Sequence, residues 1–238
     1  MTTSQSEGFG DILLSSRSSA EYRAMFALTD TDLTRRILDC PSGGAAFTAD
    51  VCDGGGDVTA CDIAYFDRTP GELGALAMTE ADRGSDYVRA HREQYRWTFF
   101  VDPADHRRSR TTSAQRFAAD IRRNPHRYIA GTLPTLPFDD DSFDLALSSH
   151  LLFSYADDLD YAFHLAAIRE LMRVTHDEVR IFPLVAVGSS QPYARLNELI
   201  AELGTHGIAG SVVDSRYEFQ VGGHRMLVCR KTEGSPQR

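Results

Sequence analysis

A chain of 238 residues with 42% hydrophobic content is long enough for one domain with a real core and a large insertion. Its net charge of −9 disfavours a generic nucleic-acid binder. No apolar run approaches the ~18 residues of a membrane span and the start lacks a signal-peptide pattern, so a cytoplasmic location is expected.

The first ten and last seven residues (Thr232 to Arg238) are polar and are expected to fray. Residues 18–35 read as helical with a break near Thr29-Asp30, where Thr29 or Thr31 caps the second piece. A buried strand follows at 36–40, then an acid and a small-residue turn (Asp39-Cys40-Pro41-Ser42-Gly43-Gly44-Ala45), a helix from about Gly44 to Cys52, and the turn Asp53-Gly54-Gly55-Gly56. A second strand at 57–61 ends on Asp62. Strand, small-residue turn, helix, strand and acid in this order build a nucleotide pocket on a parallel sheet, because the turn lets backbone N–H groups approach a ligand and the second acid can accept ribose hydroxyls. An acid at a strand end also caps the next turn, and both readings apply to Asp62. The four cysteines (Cys40, Cys52, Cys61, Cys229) contain no C-x-x-C pair, which argues against zinc and disulfides. Cys40 and Cys61 read as small apolar residues at strand ends.

From Tyr65 to His126 the alternation stops for about sixty residues, far beyond a usual connection. Helices are expected at Glu72 to about Glu93 and at Ser113 to Arg123, flanking the aromatics Tyr95, Trp97, Phe99 and Phe100. Those aromatics read as a stacking surface or as the small core that seats the insertion on the domain. Seven arginines (107, 108, 110, 116, 122, 123, 127) read as a face for an anionic substrate or RNA, or as a solvated helix surface. Strands are then expected at 128–130, 143–147, Val179–Val185, 211–220 and 225–230. The last two are expected to form an antiparallel hairpin through Val221-Gly222-Gly223-His224. Helices are expected from an Asp157 or Asp158 cap to Val174, with Leu159, Phe163, Ala166, Ala167 and Leu171 facing inward, and from Tyr193 to Leu203. Asp139-Asp140-Asp141 reads as a solvated turn, and no metal is expected.

The phrase Leu136-Pro137-Phe138-Asp139-Asp140-Asp141-Ser142-Phe143-Asp144-Leu145-Ala146-Leu147-Ser148-Ser149, downstream of the 36–62 turn, resembles the class I S-adenosylmethionine-dependent methyltransferases. The resemblance covers 36–62 and 128–230. It implies one α/β domain over 1–238, with a doubly wound, Rossmann-like seven-stranded sheet, an antiparallel C-terminal hairpin and a helical insertion at 65–126 that serves as lid or acceptor-specificity element. It implies S-adenosylmethionine as cofactor and methyl transfer to an acceptor that the sequence does not identify, a small molecule being favoured and an anionic one suggested by the arginines. Position by position, Asp39 would anchor the turn and the amino group of the methionine moiety. Ser42, Gly43 and Gly44 would bring N–H groups to that moiety. Asp62 would take the ribose hydroxyls, Ile63 would pack on adenine, Thr132 and Leu133 would lie at the adenine edge, and Ser148, Ser149 and His150 would form the floor near the methyl group.

His150 is the first candidate for a general base, with pocket lining as its other reading; Tyr155 and His164 follow. Pro41 and Ala45 stand where the family has glycine, and Thr132 where it often has an acid. These departures support a rival reading, a non-catalytic domain that binds a partner through the arginine-rich insertion. A nucleotide-dependent oxidoreductase is the third, disfavoured by the antiparallel ending. Oligomeric state is not legible in the sequence.

Overall fold

A computed structural model describes residues 12–232. The expectation of frayed ends concerns residues 1–10 and 233–238, which lie outside the described ones; Thr232 is described, and its N–H donates to Gly207 O. Seven strands, β1 (Arg36–Asp39), β2 (Asp57–Asp62), β3 (Tyr128–Ala130), β4 (Phe143–Ser149), β5 (Thr175–Phe182), β6 (Ile208–Asp214) and β7 (Arg225–Lys231), form one sheet of order β3-β2-β1-β4-β5-β7-β6. β1 to β5 pair in parallel, whereas β7 runs antiparallel to both β5 and β6.

The central strands are continuous apolar runs because helices cover both faces. Leu38, Ala146, Val179, Ile181 and Leu227 pack under α5 (Tyr161–Val174) and α6 (Leu196–Thr205). Ile37, Leu145, Leu147 and Val228 face the other way, toward α1 (Ser19–Met25) and α2 (Phe47–Asp53). The chain from β2 to β3 forms the insertion, a hairpin of α3 (Pro70–Ala90) and α4 (Pro103–Arg123) lying over Ala60 and Tyr128 at the β3 edge. Each helix begins on a strong signal. Thr69 and Glu72 form a capping box ahead of Pro70, and the Asp102 carboxylate accepts the Asp105 N–H ahead of Pro103. Gly74 allows the two helices to touch, since a Cβ there would sit 2.8 Å from Ala118 Cβ.

Several boundaries differ from expectation. α2 starts at Phe47 rather than Gly44, and α4 begins ten residues before Ser113. α5 is capped by Asp160, not Asp157 or Asp158, because Asp160 is the acid whose carboxylate reaches the Phe163 N–H, at 2.7 Å. Its inner face carries His164 and Ile168 beside Ala167 and Leu171, while Phe163 and Ala166 are only half-buried. β5 spans Thr175–Phe182, four residues earlier than expected at its start, and α6 spans Leu196–Thr205, continuing past Gly204. The C-terminal strands do pair antiparallel, but not through a tight turn: β6 ends at Asp214, and residues 215–224 form a folded segment closed by Ser215 N–H to His224 O. Among the described residues, no helix is long and apolar enough to cross a membrane.

Candidate functional site

Asp39 and Asp62 end the adjacent parallel strands β1 and β2, and the turn 40–46 passes between them. Both acids are buried. The Tyr22 hydroxyl donates to the Asp39 carboxyl at 3.1 Å, and the Tyr22 ring stacks on Phe47. Burial pushes the Asp39 carboxyl up to about 8; the nearby Ser42 and Tyr22 hydroxyls pull it down, and the neighbouring Asp62 adds to the rise. Burial also raises Asp62, opposed by the N–H groups of Ala64 and Gly43, which donate to its two oxygens at 2.8 Å each. Asp62 therefore does cap the short 3-10 turn that follows it, as the second of its two readings had it.

Every N–H of the turn from Ser42 to Ala45 already has an acceptor inside the chain. Ser42 donates to Cys61 O, Gly43 to Asp62, Gly44 to Ser15 O and Ala45 to Ser42 O. A strap of residues 13–17 crosses the turn, fixed again by Ala46 N–H to Arg17 O. Gly43 has φ +58°, and a Cβ there would sit 2.8 Å from Ser15 O, so only glycine fits beneath the strap. Tyr65 closes the other side, its hydroxyl donating to Gly43 O at 2.6 Å. Ala45 points into the core with Tyr22 and Phe47, so its methyl is absorbed by packing.

Of the residues expected around a methyl donor, Asp39, Ser42, Gly43, Gly44, Asp62, Leu133, Ser148 and Ser149 converge at the carboxyl ends of β1, β2 and β4 or close beside them, and all are buried. Ile63 and Thr132 are exposed at the rim. His150 follows β4 with φ +53°, held by its N–H to Phe182 O and by a 2.8 Å contact between Nδ1 and Ser149 Oγ. Burial, then the charges of Arg17 and Arg110, depress its pKa well below the usual imidazole value, so the ring is neutral. A neutral ring can accept a proton, but its low basicity makes it a weak general base near pH 7. His164 is fully buried with its two ring nitrogens against Asp160 O and Leu152 O, a packing role. Tyr155 accepts the Leu13 N–H and so holds the strap.

The arginine-rich stretch is largely paired within the chain. Arg107 meets Asp82 and Asp86, Arg108 Asp105, Arg110 Glu21, Arg116 Asp50 and Asp53, and Arg127 Asp53 and Asp120. The aromatics at 95–100 pack on Tyr217 and Phe219 of the 215–224 segment, with Tyr95 stacked 4.7 Å from Phe219. They are the small core of the insertion. Asp140 and Asp141 pair with Arg173 and Lys231. Among the described residues, no three His, Cys, Asp or Glu side chains cluster as a metal site.

Sequence reasoning missed the buried cluster that holds these parts together. Glu21 accepts from Arg110 Nη2 at 2.8 Å, from the Tyr217 hydroxyl at 2.9 Å and from the Ser18 N–H at 3.0 Å, and Arg17 lies 3.5 Å away. It thereby ties α1, α4 and the 215–224 segment. Burial alone would raise its carboxyl; the charge and hydrogen bond of Arg110, then Arg17, bring it down to about 2. The Ser18-x-x-Glu21 capping box was the one visible signal.

The protonated state of Asp39 has a measurable consequence. An unfolded aspartate loses its proton near 3.8, whereas Asp39 in the fold keeps it to about 8. Folding takes up a proton between those values, so this group's contribution is full below 3.8 and is lost as pH rises toward 8. Asp39→Asn is expected to flatten that decline, making the variant gain on the wild type between pH 5 and pH 8 in urea unfolding; parallel curves would show that Asp39 is ionised throughout.

Residues 100–182 match the family described as "Methyltransferase domain", a segment from α4 to the end of β5 that contains the 136–149 phrase but not the 36–62 turn. An uncharacterized protein of Methanocaldococcus jannaschii is 29% identical over 222 residues, covering 93% of this chain and 97% of that one. Among solved structures, the 1,6-didemethyltoxoflavin-N1-methyltransferase of Burkholderia thailandensis aligns over 90% of this chain and 76% of its own, at 16% identity and TM-score 0.48. The magnesium protoporphyrin IX methyltransferase of Synechocystis aligns over 85% and 77%, at 13% and 0.45. The chain is thus similar to a methyltransferase domain over residues 100–182, within a seven-stranded sheet that carries a single reversed strand.

Proposed function

We propose that the protein transfers a methyl group from S-adenosylmethionine to a small-molecule acceptor, with residues 65–126 as the element that selects the acceptor. The observation that carries this reading is the pair of buried acids at the carboxyl ends of β1 and β2 with a close-approach glycine between them, where ligands bind in such sheets. The donor set fits the cofactor chemically. A protonated Asp39 can give up its proton to receive an ammonium group, Asp62 keeps lone pairs for hydroxyls, and Ser148 Oγ is buried with no partner. Ile63 and Thr132 offer an open rim for a flat ring.

The cofactor supplies an activated methyl group, so the protein's task is alignment and exclusion of water. Strap residues 13–17 lie on the turn, and lifting them opens Gly43 and Gly44 to a ligand. Tyr155 and Glu80, which accept the N–H groups of Leu13 and Leu14, are the contacts released when the strap rises. His150 lines the cavity beyond the strap as a neutral acceptor for a proton leaving the substrate.

The covered turn also favours a second reading, a domain that keeps the fold without the cofactor. Thermal unfolding with S-adenosylmethionine, S-adenosylhomocysteine and NAD(H) separates the two. Either methionine-derived ligand at 100 times its Kd is expected to add about 2.7 kcal/mol, with no response to NAD(H). Silence from both ligands at millimolar concentration would place the non-catalytic reading first.

A further inference from the structure

Between the strap, the insertion helices and the 215–224 segment lies a cavity of about 80 Å³. At about 30 Å³ per water in the liquid, this is room for two or three waters or one small aliphatic molecule. Of the residues expected around the cofactor, only His150 reaches its wall, together with Tyr155, the second candidate base, so the cavity lies on the far side of the strap from the glycine turn.

Its charge is unbalanced. Arg17 and Arg110 share one buried acid, Glu21. Arg110 takes both carboxylate oxygens, whereas Arg17 approaches one of them only to 3.5 Å, and its Nε is buried without a partner. Glu80, the other acid at the wall, is engaged by Arg83 and the Leu14 N–H. His106 and His150 are neutral, both held down first by burial and then by the nearby arginines. Among the described residues, the surroundings therefore carry one more positive charge than negative. Three further polar atoms at the wall, Ser16 Oγ, Ser154 Oγ and His106 Nδ1, have no partner, on residues 0%, 4% and 2% exposed. Orphaned buried polar atoms are rare, and an uncompensated buried guanidinium is costly, so this grouping calls for an anion with lone pairs to share. Val88, Tyr95, Phe182 and Phe219 supply apolar walls for the rest of such a ligand.

Resting on the methyl-transfer reading, we infer that this cavity is the acceptor site and takes a small carboxylic acid with an apolar body, its carboxylate held by Arg17. A single excess charge matches a monoanion; a phosphate dianion would leave one negative charge unpaired.

Propionate, neutral propionamide and inorganic phosphate serve as probes on the full chain, read by calorimetry, with S-adenosylhomocysteine titrated in parallel. Propionate is expected to bind at least about ten-fold more tightly than propionamide, and phosphate more weakly than propionate. Arg17→Met should lose that preference, Arg17→Lys should keep part of it, and both should retain the homocysteine ligand. Ser154→Val, which leaves the Glu21 cluster intact, should block propionate by filling the wall, and it stands in if the Arg17 variants do not fold. Equal binding of propionate and propionamide, or propionate binding unchanged in Arg17→Met, overturns the inference. So does loss of the homocysteine ligand alone in Arg17→Met, which would assign the guanidinium to the cofactor's carboxylate. A homocysteine signal without propionate binding sinks this inference only, whereas propionate binding without a homocysteine signal sinks methyl transfer and with it the acceptor role.

Discussion

Glu21→Gln is expected to destabilise the protein by about 3–5 kcal/mol, the cost of leaving a buried charge without its counter-ion. Glutamine keeps the shape, still completes a capping box with Ser18, and still offers an oxygen to the Tyr217 hydroxyl. What it removes is, among the described residues, the one negative charge facing Arg110 and Arg17 inside the cluster. Urea unfolding of the wild type, Glu21→Gln, Arg110→Met and the double variant measures this directly. The double variant should recover much of the loss, giving a large coupling energy; simple additivity would mean that the pair contributes through packing alone. The same group predicts an acid limb. Its folded pKa is depressed to about 2 from an unfolded 4.5, so its contribution is full above 4.5 and is lost as pH falls toward 2. Glu21→Gln should lack that limb.

That cluster also marks the boundary of what can be read from the chain alone. β1, β2 and β4 are legible because strands buried on both faces are nearly pure apolar runs bounded by acids and glycines. The first ten residues of α4 escaped because its inward face there is His106 and Arg110, polar residues that break an apolar periodicity. Asp102-Pro103 was the start signal that periodicity alone overlooks. Residues 215–220 alternate like a strand, yet Tyr217 and Phe219 are buried because the segment folds back onto the insertion's aromatics. At the site, the order of acid, turn and acid was readable; the strap that covers it was not. Ser15 to Arg17 meet the turn through backbone carbonyls, which leave no trace in side-chain identity. Arg110 lies 89 residues from Glu21, and nothing local marks the pair.

Asp62→Ala is the change with the next largest expected effect, because this carboxylate holds both its own 3-10 turn and the glycine turn. Removing it leaves the Gly43 and Ala64 N–H groups unpaired in a buried or half-buried setting, a loss of about 2–5 kcal/mol. Binding experiments on that variant would then confuse unfolding with a lost ligand contact. Asp62→Asn separates the two roles. Its amide oxygen can serve one of the two N–H groups while its NH2 faces the other, so about half the stability loss is expected, and the fold should survive. An amide in place of the carboxylate also weakens acceptance of a pair of ribose hydroxyls, since bonds to a charged acceptor are about twice as strong as neutral ones. A thermal shift with S-adenosylhomocysteine that falls sharply in Asp62→Asn, against an unchanged shift in an equally destabilised core variant such as Leu171→Ala, makes Asp62 the ribose acid. An undiminished shift in Asp62→Asn leaves it as the brace of the turn, with the cofactor's hydroxyls held elsewhere.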